Sequence, residues 1–375
     1  MDKIKKALMF TIPTSICNFR CQYCYIAQRP IHYQGKQAKM QYSPEQVAYA
    51  CRPERLGGLA FMNFCGDGET LLSKDIDLYV RALVEQGHYG EIVTNCTITP
   101  MIDKILSWPA ELRARTEFKC SFHYLELKKR GMLDTFVKNV HHIWDAGSSA
   151  NIELTEHDEL VPYIDEVKEF SMKHFGALPQ VTIARDDVSG GIDYLTKLPM
   201  DEYERIWSTF DSNFWEYKKS VFGVKQTDFC YSGLWSAFIF LDSGVARTCY
   251  GGYFLENVFE HPERPFPARP TVKCVLPHCY NAHAFLTLGC IPGATPVGYG
   301  DIRNRKCTYG GGGHDWLQPG LLSFFNTKLE DSNERFTPEQ EKRLQAVNSV
   351  KMIYLKLRRQ AGRVKRFLQR LVVKQ

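Results

Sequence analysis

The chain lacks any apolar run of the ~18 residues that a membrane-spanning helix needs, so no transmembrane helix is expected. It lacks a secretory signal as well. The opening MDKIKKALMFTIPTSICNF is basic and then apolar, but Ala7–Ile12 is too short, and Thr11, Thr14 and Ser15 interrupt it. That stretch reads as a first strand. There is no internal repeat, and the low-complexity content is confined to Gly310–His314. Acid is missing from Lys351–Gln375, which holds nine Lys and Arg, so a net charge of +5 leaves the rest of the chain at −4. The body therefore carries no strong nucleic-acid signal. What is plentiful is cysteine. Thirteen cysteines without a signal peptide argue for metal or redox chemistry in a reducing, cytoplasmic compartment rather than for disulfides.

The 375 residues allow one large domain and a smaller one, and 44% apolar content supports a sizeable core. Short segments rich in Val, Ile, Phe and Met predict strands at Lys6–Ile12, Leu59–Phe64, Gly90–Asn95, Glu117–Phe122, Asn151–Thr155 and Gln180–Ala184. Helices are expected between them. Ser43-Pro44-Glu45-Gln46 is a capped start, Ser73 opens a helix that Gly87 ends, and Thr135–Ala146 stops at Gly147. Val161–Phe175 stops at Gly176, with Pro162 in its first turn. Strands alternating with helices imply an α/β fold with a parallel sheet, open or curled toward a barrel, whose ligands collect at the C-terminal strand ends. Ser189–Met200 reads as a linker. From Phe229 to His314 the chain is rich in Gly, Pro, Cys and aromatics, as in a loop-rich module stapled by something other than a core.

Cys17, Cys21 and Cys24 sit within eight residues just after the first strand, spaced C-x3-C-x2-C, with no fourth cysteine nearby. Three thiolates on one loop can hold three irons of a [4Fe–4S] cube and leave the fourth open; the same three can form a zinc knuckle completed by a distant Cys or His. After the second strand comes Gly66-Asp67-Gly68-Glu69, where glycines admit a close backbone approach and a carboxylate can accept from an ammonium.

The stretch Cys17-Asn-Phe-Arg-Cys21-Gln-Tyr23-Cys24 resembles the signature of radical S-adenosylmethionine (SAM) enzymes, C-x3-C-x-Φ-C with Φ aromatic. The resemblance covers residues 6 to about 190. It implies a partial (β/α)6 TIM-like barrel, a [4Fe–4S] cluster whose open iron SAM chelates, and cleavage of SAM to a 5′-deoxyadenosyl radical that abstracts hydrogen from a substrate. Gly66, Asp67, Gly68 and Glu69 resemble the family's SAM-contacting Gly-Gly-Glu motif, with Thr70 in place of the frequent Pro. Thr94-Asn95 stands where the family often has Thr-Asn-Gly, with Cys96 replacing Gly, and Ser121 stands where a SAM-binding Ser often lies. The resemblance thus places Tyr23, Gly66–Glu69, Asn95 and Ser121 around SAM; an ordinary polar strand end is the other reading of Asn95 and Ser121. Arg185 is read as a carboxylate partner or a solvated loop residue.

Cys230 and Cys249 are spaced C-x13-G-x4-C through Gly244, and Ala237–Leu241, Asp242-Ser243-Gly244 and Val245–Cys249 read as a hairpin that draws the two cysteines together. The spacing resembles the opening of the SPASM and twitch auxiliary-cluster modules. Cys274-x4-Cys279-x10-Cys290 does not fit the full SPASM continuation, which favours one auxiliary [4Fe–4S] cluster on Cys230, Cys249, Cys274 and Cys279, with Cys290 and Cys307 as substitutes. Zinc on the same residues, with His278 or His283, is the alternative. Cys51, Cys65, Cys96 and Cys120 read as small buried hydrophobes, Cys65 being the exception to watch as a hydrogen donor.

The domains read as a core at 1–195, a bridging segment at 196–228, an auxiliary module at 229–320 and a helical basic tail at 336–375. The tail is a basic amphipathic helix, suited to an anionic membrane surface, nucleic acid, a partner or packing across the body. The resemblance adds an electron donor such as a flavodoxin or ferredoxin. No winged-helix leader-binding segment is expected before Lys6, which leans from ribosomal peptides toward a small molecule, carbohydrate or protein side chain. The competing function is a non-catalytic zinc protein that recognises nucleic acid or a partner through its tail.

Overall fold

The computed structural model describes residues 2–28, 34–279 and 281–350. Six parallel strands stand in sequence order: β1 (Lys6–Ile12), β2 (Ala60–Gly66), β3 (Tyr89–Thr94), β4 (Thr116–Ser121), β5 (Ser149–Thr155) and β6 (Gln180–Thr182). Each pairs in parallel with the next, as β–α–β units place them. The predicted strands all form, within about two residues at their ends.

One set of alternating side chains packs on helices. Phe10, Phe64, Ile92, Phe118, Ile152 and Val181 belong to a single buried core. The opposite set is polar: Asn63, Glu91, Lys119, Glu153 and Thr182, from five different strands, line one cavity with Met9 of β1. Side chains from β1 through β6 reach a common space only if the sheet curls, so the fold is a partial TIM-like barrel. Two layers result, helices outside and a polar lumen within.

The helices follow local chemistry. Pro44–Ala50 has the expected capping box between Ser43 and Gln46. Gly176, in the left-handed conformation, ends Ile164–Phe175; Pro162 instead lies in a separate 3-10 turn, Asp158–Tyr163. Ser73 does not open a helix. It closes a short turn at Thr70–Leu72, and the helix Ile76–Val84 begins after Asp75. The bridging segment at 196–228 is partly helical, with Met200–Trp207 and, packed beside β6, Asn213–Val221.

The cysteine-rich region is joined to the barrel. β7 (Ser236–Phe240) pairs in parallel with β1, so it extends the same sheet, and β8 (Val245–Arg247) and β9 (Phe254–Asn257) follow antiparallel. Gly244 makes the expected hairpin turn at φ 73°. Downstream, Tyr299 and Arg303 plug the lumen: Tyr299 donates to Glu91, while the fully buried Arg303 donates to Glu153 and stacks over Phe214, 4.7 Å from the ring centroid. Residues 338–350 are helical, and Lys351–Gln375, where the basic amphipathic helix is expected, lies outside the described residues. No described helix is long and apolar enough to cross a membrane.

Candidate active site

The loop after β1 is pinned to neighbouring strand ends before any ligand is considered. Asn95, just beyond β3, donates through Nδ2 to Asn18 Oδ1 at 2.7 Å, and Asn18 donates to Thr97 Oγ1 at 2.9 Å. Cys24 N–H closes a turn onto Cys21 C=O at 3.2 Å, and Phe19 N–H points at Cys17 Sγ at 3.4 Å. The three cysteines line one cavity of about 80 Å³ together with Gly68, Glu69 and Ser121. Asn95 and His123 border it too.

Gly68 is where the glycine requirement is sharpest. A Cβ there would meet Ile16 C=O at 2.2 Å, so the second-strand loop and the cysteine loop touch through a missing side chain. Glu69 is 3% exposed, and its carboxylate accepts from Thr94 Oγ1 (2.6 Å), Asn95 N–H (2.7 Å) and Leu71 N–H (3.0 Å). It braces the end of β3 against β2 and keeps limited capacity for a ligand ammonium. Gly66 N–H donates to Thr70 Oγ1 at 2.9 Å, a contact that a proline at position 70 could not make. Asp67 N–H caps Ile12 C=O at 2.9 Å.

Tyr23 is stacked on His157 at 4.0 Å between centroids and shares a 2.7 Å hydrogen bond with His123 Nδ1. Burial holds His123 down at about 4, so the ring is neutral.

Burial pushes the Cys17 thiol up to about 11 and raises Cys21 further. Buried thiols in this position ionise only when a cation's charge replaces the lost hydration, so the donor set fits a thiolate-bound metal cluster. Gly68, Glu69 and Ser121 line the same cavity beside the thiols.

Cys230, Cys249, Cys274 and Cys279 line a second cavity of about 30 Å³. Cys230 is bridged to Val272 through paired backbone bonds of 3.0 Å, which carries the 272–279 segment to the hairpin. Burial raises the Cys249 thiol to about 12 and also raises Cys230 and Cys279. Of the two substitutes, Cys290 is near this group, held through Tyr231 N–H on its C=O at 2.8 Å with its Sγ 3.6 Å from Ser236 Oγ, whereas Cys307 Sγ contacts His314 Nε2 at 3.2 Å. His278 and His283 do not line this cavity. Among the described residues no three His, Cys, Asp or Glu side chains converge as around one ion. A four-iron cube needs no such convergence, because each sulfur binds a different iron. Cys51, Cys96 and Cys120 are buried core thiols, whereas Cys65 reaches the lumen.

Between the two cysteine cavities lies a chamber of about 220 Å³, the barrel lumen itself. It shares Cys24, Cys65, Gly68 and Ser121 with the first cavity and Tyr250 and Asn281 with the second. Lys119, Glu153 and Lys218, which line it, are functional candidates that the sequence reading missed, and His283, read there only as an alternative zinc ligand, lines it too. The available signal was the polar alternation Glu117-Phe-Lys119-Cys-Ser121 and Asn151-Ile-Glu153-Leu-Thr155. Parallel strands buried on both faces are ordinarily apolar throughout, so this pattern marks a wet inner face. Arg185, also at the chamber, pairs with Asp187 at 2.6 Å and lies over the Tyr25 ring.

No family model and no curated protein matches the chain. Among solved structures it is similar to Streptococcus suis SuiB bound to S-adenosylmethionine, with TM-score 0.46 and 16% identity over 69% of this chain and 64% of that one. It is similar to anSMEcpe with bound AdoMet, with TM-score 0.48 and 14% identity over 68% of this chain and 78% of that one. BtrN in complex with AdoMet and 2-DOIA gives TM-score 0.29 and 14% identity over 70% and 77%. The chain thus spans under two thirds of the length of SuiB.

Proposed function

We propose that the chain is a radical SAM enzyme in which Cys17, Cys21 and Cys24 hold three irons of a [4Fe–4S] cluster. The observation that carries this reading is one cavity, at the C-terminal end of a parallel barrel, walled by the three thiols, Gly68 and the ends of β3 and β4. When bound, the reduced cluster and SAM supply a 5′-deoxyadenosyl radical able to take a hydrogen atom from a substrate.

The chain's own residues do the holding. The Asn95–Asn18–Thr97 hydrogen bonds keep the cysteine loop in one geometry. Gly68 lets the second-strand loop meet the cysteine loop at Ile16, Glu69 and Asn95 offer polar groups at the β3 end, and Ser121 stands where both cavities meet. The stacked Tyr23–His157 pair walls the loop from the lumen side. In this reading residues 1–195 form the catalytic core and 229–320 an auxiliary module, with Cys230, Cys249, Cys274 and Cys279 for a second [4Fe–4S] cluster. The partners are an electron donor such as a flavodoxin or ferredoxin, in the cytoplasm, and a substrate that reaches the chamber; the basic tail offers contact with a membrane surface.

The test is anaerobic reconstitution followed by dithionite and SAM. The expected result is 5′-deoxyadenosine and methionine from the wild type and neither from Cys21→Ala. Equal cleavage by the variant sinks the assignment.

A further inference from the structure

The lumen holds a buried lysine to which the described part of the fold gives no ion-pair partner. Lys218, on Asn213–Val221, is 2% exposed and lines the chamber. Its Nζ has Thr182 Oγ1 at 3.4 Å and the Phe214 ring at 5.8 Å, and among the described residues no carboxylate stands within ion-pair distance. Glu153 and Glu91 are committed elsewhere, and Glu156 keeps one buried oxygen, Oε1, without a hydrogen-bond partner. Glu153 is held by Lys119 (3.1 Å) and Arg303, and Glu91 by Asn63, Tyr299 and Arg303. Glu156 accepts from Trp215 Nε1 at 2.8 Å, and burial pushes its carboxyl well up, toward the neutral acid. His283 Nδ1, on the chamber wall, is buried without a partner. An ammonium buried without a counter-ion is costly, and burial accordingly pulls Lys218 down to about 7. Such an arrangement is completed by an anion that enters with a ligand.

We infer that the deep end of the chamber seats an anionic group of a small substrate, a carboxylate or a phosphate-type ester, on Lys218. The inference rests on the proposed radical chemistry for what happens next but not for the seat itself. The space, about 220 Å³, is below the roughly 300–1,000 Å³ of drug-sized sites, which suits a small molecule rather than an extended chain. A molecule anchored there lies between the first cysteine cavity, which the chamber meets at Cys24 and Ser121, and the second, which it meets at Tyr250 and Asn281.

The experiment is calorimetric titration of the reconstituted protein, with and without SAM. Sulfate serves as a non-titrating stand-in for a phosphate-type ester and succinate as the carboxylate. Saturable 1:1 binding of at least one is expected, weakened about tenfold or more in Lys218→Met, as when one member of a buried charge pair is removed. The tighter of the two names the chemistry.

A second readout covers a variant that folds poorly. Arg185, Lys119, Glu153 and His283 line the chamber with Lys218, Glu156 and His278 lie close to it, and burial lowers both histidines. Binding at pH 8 then draws a proton onto Lys218, seen as heats that differ between buffers of unlike ionisation enthalpy. Absence of binding by both anions, wild-type affinity in Lys218→Met, or binding without proton uptake overturns the inference. SAM cleavage without anion binding removes the seat and keeps the enzyme; anion binding through Lys218 without SAM cleavage does the reverse.

Discussion

The two cysteine regions differ in how their ligands are gathered. Cys17, Cys21 and Cys24 ride one short loop on the end of β1, hydrogen-bonded to residues at the next strand ends. Cys230, Cys249, Cys274 and Cys279 come from both sides of a hairpin and from an irregular stretch tied in at Thr271 and Val272. The first site is assembled on the end of a regular barrel strand, over a continuous apolar core. The second gathers separate segments around a cavity with little regular structure, where a bound metal cluster contributes folding energy directly. Loss of metal should therefore abolish chemistry at the first site and structure at the second.

The largest effect follows from that contrast. Cys21→Ala should lose all SAM cleavage, yet melt within a few degrees of the wild type and keep the auxiliary irons. Cys249→Ala should lose its irons and melt well below Cys21→Ala while SAM cleavage survives in whatever fraction stays folded, as thermal denaturation beside an iron assay would reveal. Equal melting temperatures for the two variants would break the comparison.

Gly68→Ala probes where the loops touch. Its Cβ must displace Ile16 C=O from 2.2 Å, and overpacking of this kind costs about 1–3 kcal/mol. If that strain falls on the bound state, SAM affinity drops by roughly tenfold or more, measurable by equilibrium dialysis, with the auxiliary irons unchanged.

A smaller effect is one of pH and belongs to the barrel alone. His88 is fully buried, with Nδ1 accepting from Ala60 N–H at 3.0 Å and Nε2 on Cys51 C=O at 2.8 Å. Burial lowers it to about 4. A histidine depressed in the folded state takes up its proton more readily when unfolded. Its contribution is therefore present above the unfolded value near 6.5 and is lost as pH falls toward 4, about 2 kcal/mol between pH 6.5 and 5. Urea titrations at pH 7 and pH 5 should show that loss in the wild type and a smaller one in His88→Gln.

The barrel was legible in the sequence because parallel strands and their caps are local signals, and Ser43 with Gln46 announces its helix within four residues. The cysteine motifs were legible for the same reason. The chamber was not. Lys218 lies in a segment that reads as a linker, and Arg303 meets Glu153 across 150 positions, so nothing near either residue marks it. Glu69 shows the converse. Its position announced a ligand contact, but its carboxylate already carries three hydrogen bonds that hold two strand ends together.

The most direct test of the central claim is iron and zinc per chain after anaerobic reconstitution, in the wild type and in the Cys17/Cys21/Cys24→Ala triple variant. With four irons per cluster, the account predicts about eight irons falling to about four, with no zinc. Zinc alone in the wild type, or an iron content that the triple variant leaves unchanged, would contradict it.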